Sequence, residues 1–209
     1  MTRRIVGLVL AGGLATRMGG GDKGRLSLAA GHTLLDEALD RLRPQVDQIA
    51  LNANGDPSRF DELGLPVIAD ALDGYLGPLA GVLAGLDWAA GQGVTHVASV
   101  AADTPFFPRD LVAQLSDASN SDGLAIAASR DENGKLWRQP TFGLWPVSLR
   151  DDLRQALGEE AIRKIVIWTD RHNAGMAEFA DTEGTDPFFN VNTPDDLIRA
   201  QTIFAGLRG

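Results

Sequence analysis

The sequence predicts an α/β fold: one domain over residues 1–209, with a mostly parallel sheet in a three-layer arrangement and a small antiparallel insertion. Three observations carry this reading. Short apolar runs alternate with amphipathic stretches of helical period, the pattern of strands that cross over through helices. The first apolar run, Ile5–Leu10, stops abruptly at a glycine-rich loop, as a strand does when it delivers a ligand-binding turn to a sheet edge. The rhythm changes after Arg130, where Asp131-Glu132-Asn133-Gly134 signals a turn and Trp137–Trp145 reads as a strand or hairpin.

The elements follow in order. Leu34, Leu35, Ala38, Leu39 and Leu42 recur at helical spacing and predict a first helix that ends before Pro44. Gln48–Leu51 predicts a second strand, Pro57–Leu63 a short helix and Pro66–Ala69 a third strand. Pro78–Ala90 reads as a helix with Leu79, Val82, Leu83 and Leu86 on one face, and Gly81 and Gly85 permit close packing on a sheet. His96–Ala101 is apolar enough to be a buried central strand. Pro108–Ala118 predicts a helix with Pro108 in its first turn, and Leu124–Ala128 the next strand. Val147–Leu157 and Ala161–Thr169 read as helices, although Ile165–Trp168 equally suits a strand. Met176–Ala180 and Phe188–Val191 predict short strands, and Thr193 opens a last helix that runs to about Ala205.

Composition narrows the function classes. A chain of 209 residues, 44% hydrophobic and 22% charged, supports one full core of an ordinary soluble globule. No apolar run approaches the ~20 residues of a membrane span. The basic start Met1-Thr2-Arg3-Arg4 and the apolar run after it resemble a weak signal peptide. However, the run carries Gly7, stops at paired glycines and leads to Arg17 rather than to a cleavage site. The absence of cysteine excludes disulfides and thiolate metal sites and fits the cytoplasm, the expected location. A net charge of −9 argues against nucleic acid as a partner. Residues 1–25 nevertheless hold Arg3, Arg4, Arg17, Lys23 and Arg25 against the single Asp22, a local positive region suited to a small anion. His32, His96 and His172 stand apart and read as structural, and Trp137, Trp145 and Trp168 as core or rim.

The stretch from Leu10-Ala11-Gly12-Gly13 to Asp22-Lys23 is the most informative. Glycine lets backbone N–H groups converge on an anion, because no Cβ blocks the approach. Arg17 and Lys23 add charge where phosphates would lie. Against this stands the plainer reading of a flexible glycine loop with two surface cations. The Walker A pattern is excluded, since Lys23 is followed by Gly24. Gly19, Gly21 and Gly24 match G-x-G-x-x-G, but too far past the strand for a dinucleotide turn. No acid closes the second strand either, where Leu51 leads to Asn52-Ala53-Asn54, so the match is chance.

Three further places carry polar residues at predicted carboxyl edges. Asp103, in Ala101-Ala102-Asp103-Thr104-Pro105, is placed to hold Mg²⁺, a hard cation usually bound by one or two carboxylates plus phosphate oxygens. Its alternative role is a turn-former. Thr193, Pro194 and Asp196 make a sound helix start, but that does not explain Asn190 and Asn192. The two asparagines alternate, so a strand would point both from one face, where amides can bond phosphate or a polar ring edge. Asn52 and Asp70 each end a short strand, and either alone also fits a turn. The Tyr75–Leu79 loop is placed to form a pocket wall.

Together these residues resemble the MobA-like nucleotidyltransferases, the molybdenum cofactor guanylyltransferases. The resemblance runs through Leu10-Ala11-Gly12-Gly13, Arg17-Met18-Gly19-Gly20, Asp22-Lys23-Gly24, Gly77-Pro78-Leu79-Ala80-Gly81, Asp103-Thr104-Pro105 and Asn190-Val191-Asn192-Thr193-Pro194. Pro140–Trp145 is similar to the family's substrate-side segment. It implies a Rossmann-like fold and transfer of GMP from GTP to the phosphate of molybdenum-bound molybdopterin, with Mg²⁺ as cofactor and pyrophosphate as product. It further implies that Leu10, Ala11, Gly12 and Gly13 contact the nucleotide, the first three through backbone, and that Arg17 and Lys23 hold its phosphates. Asn52 and Asp70 would lie at base and ribose, Asp103 on Mg²⁺, and Asn190 and Asn192 near the reacting phosphates and the pterin. GTP and molybdenum-molybdopterin are the implied partners, with room for cofactor-delivery proteins and molybdoenzymes, and without nucleic acid or membrane.

Four alternatives are weighed against it. A cytidylyltransferase for the same pterin typically reads Leu-Ala-Ala-Gly where this chain has Leu-Ala-Gly-Gly. A non-catalytic nucleotide-binding module would keep the glycine loop but need not keep Asp103. A dinucleotide-dependent oxidoreductase lacks its ribose acid here. Sugar-phosphate nucleotidyltransferases carry a longer loop between the glycines and the lysine.

Overall fold

The computed structural model describes residues 4–12, 22–72, 74, 76–131, 133–180 and 186–208. Strands β1 (Ile5–Leu10), β4 (Ile49–Asn52), β5 (Val67–Ile68), β6 (His96–Ala101), β7 (Ala125–Arg130), β8 (Leu136–Pro146) and β9 (Gly175–Phe179) form one 7-stranded sheet. Its order is β5-β4-β1-β6-β8-β7-β9. All neighbouring pairs are parallel except those of β8, which runs antiparallel to both β6 and β7. The expected antiparallel insertion is therefore a strand within the main sheet. A separate 2-stranded ribbon, β2 (Ser27–Ala29) with β3 (His32–Thr33), was not evident in the sequence pattern.

Helices cover both faces. Alternation along β1 sends Val9 to one side and Val6 and Leu8 to the other. On the first side lie α1 (Leu34–Leu42) and α3 (Leu111–Ala118), which contribute Leu35, Leu39, Leu42, Leu111 and Leu115. On the second lie α2 (Pro78–Ala90), α4 (Arg150–Gly158) and α5 (Ile165–Arg171), with Leu79, Leu83, Leu153 and Trp168. The close packing expected of α2 is present. A Cβ added at Gly85 would lie 2.6 Å from Leu8 Cδ2. A third cluster joins Leu28 and Leu34 to Phe189, Val191 and Phe204, and seats α6 (Pro194–Arg208) beside the ribbon.

Several boundaries differ from the sequence reading. Helix α3 starts at Leu111, because Pro108–Asp110 forms a turn and Asp110 is the non-helical N-cap. Val147–Leu149 is a 3-10 turn ahead of α4. The ambiguous Ile165–Trp168 run is helical: Ile165, Trp168 and Thr169 are buried at the spacing of one helix face. Phe188–Val191 is not a strand in either sheet. Phe188 packs in the first core and Phe189 and Val191 in the third, so the run passes between clusters rather than along a ladder. Trp145 and Trp168 are fully buried, whereas Trp137 is 50% exposed. Among the described residues no helix is long and apolar enough to cross a membrane.

Candidate active site

The carboxyl ends of β1, β4 and β6 finish level, with Leu10 in register with both Asn52 and Ala101. The ladder continues one step beyond, as Ala11 N donates to Asn52 O at 2.9 Å and Ala102 N to Leu10 O at 3.1 Å. Past these ends lies a cleft of about 320 Å³. Leu10, Ala11 and Gly12 form its floor, with Lys23, Gly24 and Asp103 on one side and Asn52, Asn54 and Asp70 on the other. Gly77 and Pro78 bring the start of α2 to the rim, as expected of that loop. A helix N-terminus placed there adds partial positive charge to the cleft.

On one side, the 3-10 turn Lys23–Arg25 presents the lysine. Lys23 Nζ lies 2.9 Å from Asp103 Oδ2 and donates to Asn192 Oδ1 at 2.5 Å. The pair is mostly buried, with side chains 15% and 21% exposed. Gly24 lets the turn sit on the end of β6, since a Cβ there would lie 3.1 Å from Ala102 Cβ. Asn192 is held by the start of α6: the Asp196 carboxylate accepts from Asn192 N at 3.0 Å and Thr193 N at 2.9 Å. Thr193 Oγ1 accepts in return from Asp196 N at 3.1 Å, so the helix start read in the sequence is a reciprocal cap. The Asn192 N–H contact, first, and the Thr193 side chain and N–H hold the Asp196 carboxyl below its ordinary range. Val191 N donates to the backbone carbonyl of Asp103 at 2.8 Å and ties this segment to the end of β6.

On the other side, Asp70 is gripped by two amides. Asn52 Nδ2 donates to Asp70 Oδ1 at 3.0 Å and Asn54 Nδ2 to Asp70 Oδ2 at 2.8 Å. Asp70 N donates back to Asn54 Oδ1 at 2.8 Å. Asn52 also depends on α2: a Cβ at Gly81 would lie 2.2 Å from Asn52 Oδ1. A third contribution comes from β8. Its register against β7 jumps from Ile126↔Gly143 to Ala127↔Gln139, which leaves Pro140, Thr141 and Phe142 in a bulge. Thr141 reaches the cleft from this bulge, with its carbonyl accepting from Ser99 Oγ at 2.7 Å.

Leu10, Ala11, Gly12, Lys23, Asn52, Asp70 and Asp103 all line the one cleft, and Asn192 joins it through Lys23. Gly13 and Arg17 lie outside the described residues. Asn190 is exposed, and the shared strand face inferred for it and Asn192 does not exist, because the segment is not a strand. Asn54 is not among the expected site residues, and Thr141 enters the expectation only as part of Pro140–Trp145. Asn54 carries the same i, i+2 spacing from Asn52 that drew attention to Asn190 and Asn192. Asp103 fits a hard cation that takes most of its ligands from phosphate and water, since it offers one carboxylate and, among the described residues, no second carboxylate lines its side of the cleft. Among the described residues, three potential metal ligands gather only at His32, Glu37 and Asp40, within 4.8 Å of one another. There Arg41 and His32 already occupy the Glu37 oxygens, at 2.7 and 3.2 Å.

Comparisons with known proteins place the whole chain in one family. The family model of the MobA-like NTP transferase domain matches residues 7–174. A molybdenum cofactor guanylyltransferase of Mesorhizobium japonicum is 46% identical over 212 residues, covering 99% of each chain. One of a Bradyrhizobium species is 49% identical, over 98% of this chain and 95% of the relative. Among solved structures, molybdopterin-guanine dinucleotide biosynthesis protein A of Archaeoglobus fulgidus superposes with a TM-score of 0.71 at 24% identity, over 96% of this chain and 99% of that one. A 4-diphosphocytidyl-2C-methyl-D-erythritol synthase of Anaerococcus prevotii shares the fold at a TM-score of 0.69 and 13% identity, over 97% and 96%.

Proposed function

The chain belongs to the MobA-like NTP transferase family, and we propose that it transfers GMP from GTP to the phosphate of molybdenum-bound molybdopterin. The observation that carries this reading is the cleft itself: its floor, its lysine and its carboxylate come from the segments that the full-length match to guanylyltransferases spans.

The reaction asks for no protein base. A terminal oxygen of the pterin phosphate, already anionic, attacks the α-phosphorus of GTP. The bond from the α-phosphorus to the bridging oxygen breaks, and its electron pair leaves with pyrophosphate. The barrier lies in bringing two anions together and in the charge that develops on the departing group. The backbone N–H of Gly12, which lies beyond the end of the β1 ladder, the side chain of Lys23 and that of Arg17 answer both demands. Asn52 and Asp70, with Asn54, flank base and ribose. Asn192 places a side-chain amide beside Lys23, on the side from which the acceptor phosphate approaches, with Asn190 nearby in the chain.

Asp103 is the residue that would hold Mg²⁺. That ion, when bound, screens the phosphates and stabilises charge on the leaving group. A cytoplasmic location suits a nucleotide-consuming biosynthetic step of this kind.

The test is pyrophosphate release by purified protein supplied with GTP, Mg²⁺ and molybdenum-molybdopterin. Release that requires all three, with a guanine dinucleotide product, supports the reading. Tight GTP binding without turnover assigns the chain to a non-catalytic nucleotide-binding role.

A further inference from the structure

Arg59 lines neither side of the cleft, yet it joins them. It sits on the 3-10 turn Pro57–Leu63, which follows β4. Its Nη2 donates to Asn54 O at 2.7 Å, and Asn54 is one of the two residues that grip Asp70 on the base side. Its Nε lies 3.0 Å from Asp22 Oδ2, and Asp22 directly precedes Lys23 on the phosphate side. That Nε is buried and has no well-aligned hydrogen bond, so its contact with Asp22 is a charge pair. The partners are partly shielded, 33% and 13% exposed.

The surroundings keep the guanidinium in place. It packs over the ring of Phe60 at 5.0 Å, and Phe60 is buried in the core. Arg25 donates to the Arg59 carbonyl, pairs with Glu62 at 2.7 Å and approaches the same ring at 5.8 Å. Gly55 has a φ of +88°, and a Cβ there would stand 3.1 Å from Arg59 Nη1. A side chain at 55 would meet both a strained backbone and the guanidinium.

We propose that Arg59 is a positioning residue that fixes the base side of the cleft relative to its phosphate side. A nucleoside triphosphate engages both sides at once, so its affinity depends on their separation being set before it binds. A fragment that touches one side has no such dependence. The identity of the nucleotide rests on the guanylyl-transfer reading; the tie itself does not.

The experiment compares wild type, Arg59→Gln, Arg59→Lys and Asp22→Asn. Each is titrated with GTP, CTP and inorganic triphosphate, and thermal melting checks that each is folded. In Arg59→Gln, affinity for whichever nucleotide wild type prefers is expected to fall roughly tenfold, the loss of one charge-assisted contact and its pre-organisation. Affinity for inorganic triphosphate is expected to change less than about twofold, and KM to rise more than kcat falls. Arg59→Lys keeps a cation beside Asp22 but has no planar fork to reach Asn54 O as well, so it should resemble Arg59→Gln. Asp22→Asn leaves the Phe60 packing intact and should give the same selective loss. Unchanged nucleotide affinity in the folded variants, equal loss for inorganic triphosphate, or full rescue by lysine would overturn the proposal. Wild-type preference for CTP would count against guanylyl transfer, while the tie would still be judged by the ratio of losses.

Discussion

Lys23 Nζ and Asp103 Oδ2 stand 2.9 Å apart, although 80 residues separate them in the chain. The cation proposed for the phosphates and the carboxylate proposed for Mg²⁺ thus neutralise each other. An arriving metal–nucleotide complex offers each a new partner of opposite charge, so the pair can be exchanged without leaving either charge buried alone.

Replacing Lys23 tests its half of that exchange. Lys23→Ala should lower kcat/KM by about 2–4 kcal/mol of transition-state stabilisation, the range for a charge-assisted contact to a developing oxyanion. The side chain lies in a polar turn, so its removal opens no core cavity; the melting temperature should fall only because the mostly buried Asp103 carboxylate loses its cation, and by less than the loss of activity. Steady-state kinetics beside a melting curve decides the matter, and near-normal turnover in a folded variant would remove Lys23 from the mechanism. The same variant should bind Mn²⁺ more tightly than wild type in the absence of nucleotide, as measured by electron paramagnetic resonance, because Asp103 loses its competing partner.

Asp103→Asn keeps size and turn-forming ability while removing the charge. It should fold, retain GTP binding and lose nearly all Mg²⁺-dependent turnover. A Mg²⁺ titration of wild type and variant, with and without GTP, measures this directly. Unaltered metal-dependent turnover would leave Asp103 as a turn residue.

Gly81→Ala should damage the base side without touching a charged group. The new methyl would meet Asn52 Oδ1 at 2.2 Å and Leu10 Cδ2 at 2.9 Å. Asn52 must then move off Asp70, or α2 must retreat from the sheet, at a cost of about 1–3 kcal/mol. Nucleotide affinity and the urea midpoint should both fall. Gly85→Ala meets Leu8 instead, so it should lower the midpoint alone.

Asp196 supplies a pH dependence with a definite sign. Its carboxyl is held below the ordinary 3.8, chiefly by the Asn192 N–H. A lowered folded-state pKa contributes stability that is fully present above 3.8 and is lost as pH falls through the lower folded value. Asp196→Ala should therefore be less stable than wild type at pH 7, with the gap narrowing below pH 3.8. It should also lose turnover at pH 7, since Asn192 loses its anchor. Urea midpoints across that range give the sign, and a gap that widens on acidification would contradict it.

Local pattern was enough for Ile5–Leu10, Pro78–Ala90 and His96–Ala101, whose bounds agree with the structure because apolar period and turn residues coincide there. It failed where burial is non-local. The β2–β3 ribbon is too short to show a period and is secured by distant contacts, such as Gln201 Nε2 to Ser27 O at 2.9 Å. Phe188–Val191 has the composition of a strand, but its aromatics serve two clusters. Most of the cleft was legible as residue types at strand ends. What could not be read was who meets whom: Asn192 reaches Lys23, Asn54 reaches Asp70, and Thr141 enters on a bulge that only strand register reveals.

The central claim is guanylyl transfer to a molybdopterin phosphate, and its most direct test is competition between nucleotides. Purified protein is given molybdenum-molybdopterin and Mg²⁺ with equal concentrations of GTP, CTP and ATP, and the dinucleotide products are resolved by mass. Guanine presents N1 and N2 donors, and acceptors matched to them lose about 1–3 kcal/mol for each left without a partner by another base. The account predicts the guanine dinucleotide as the dominant product, in step with pyrophosphate. A dominant cytosine dinucleotide, or no dinucleotide at all, would contradict it.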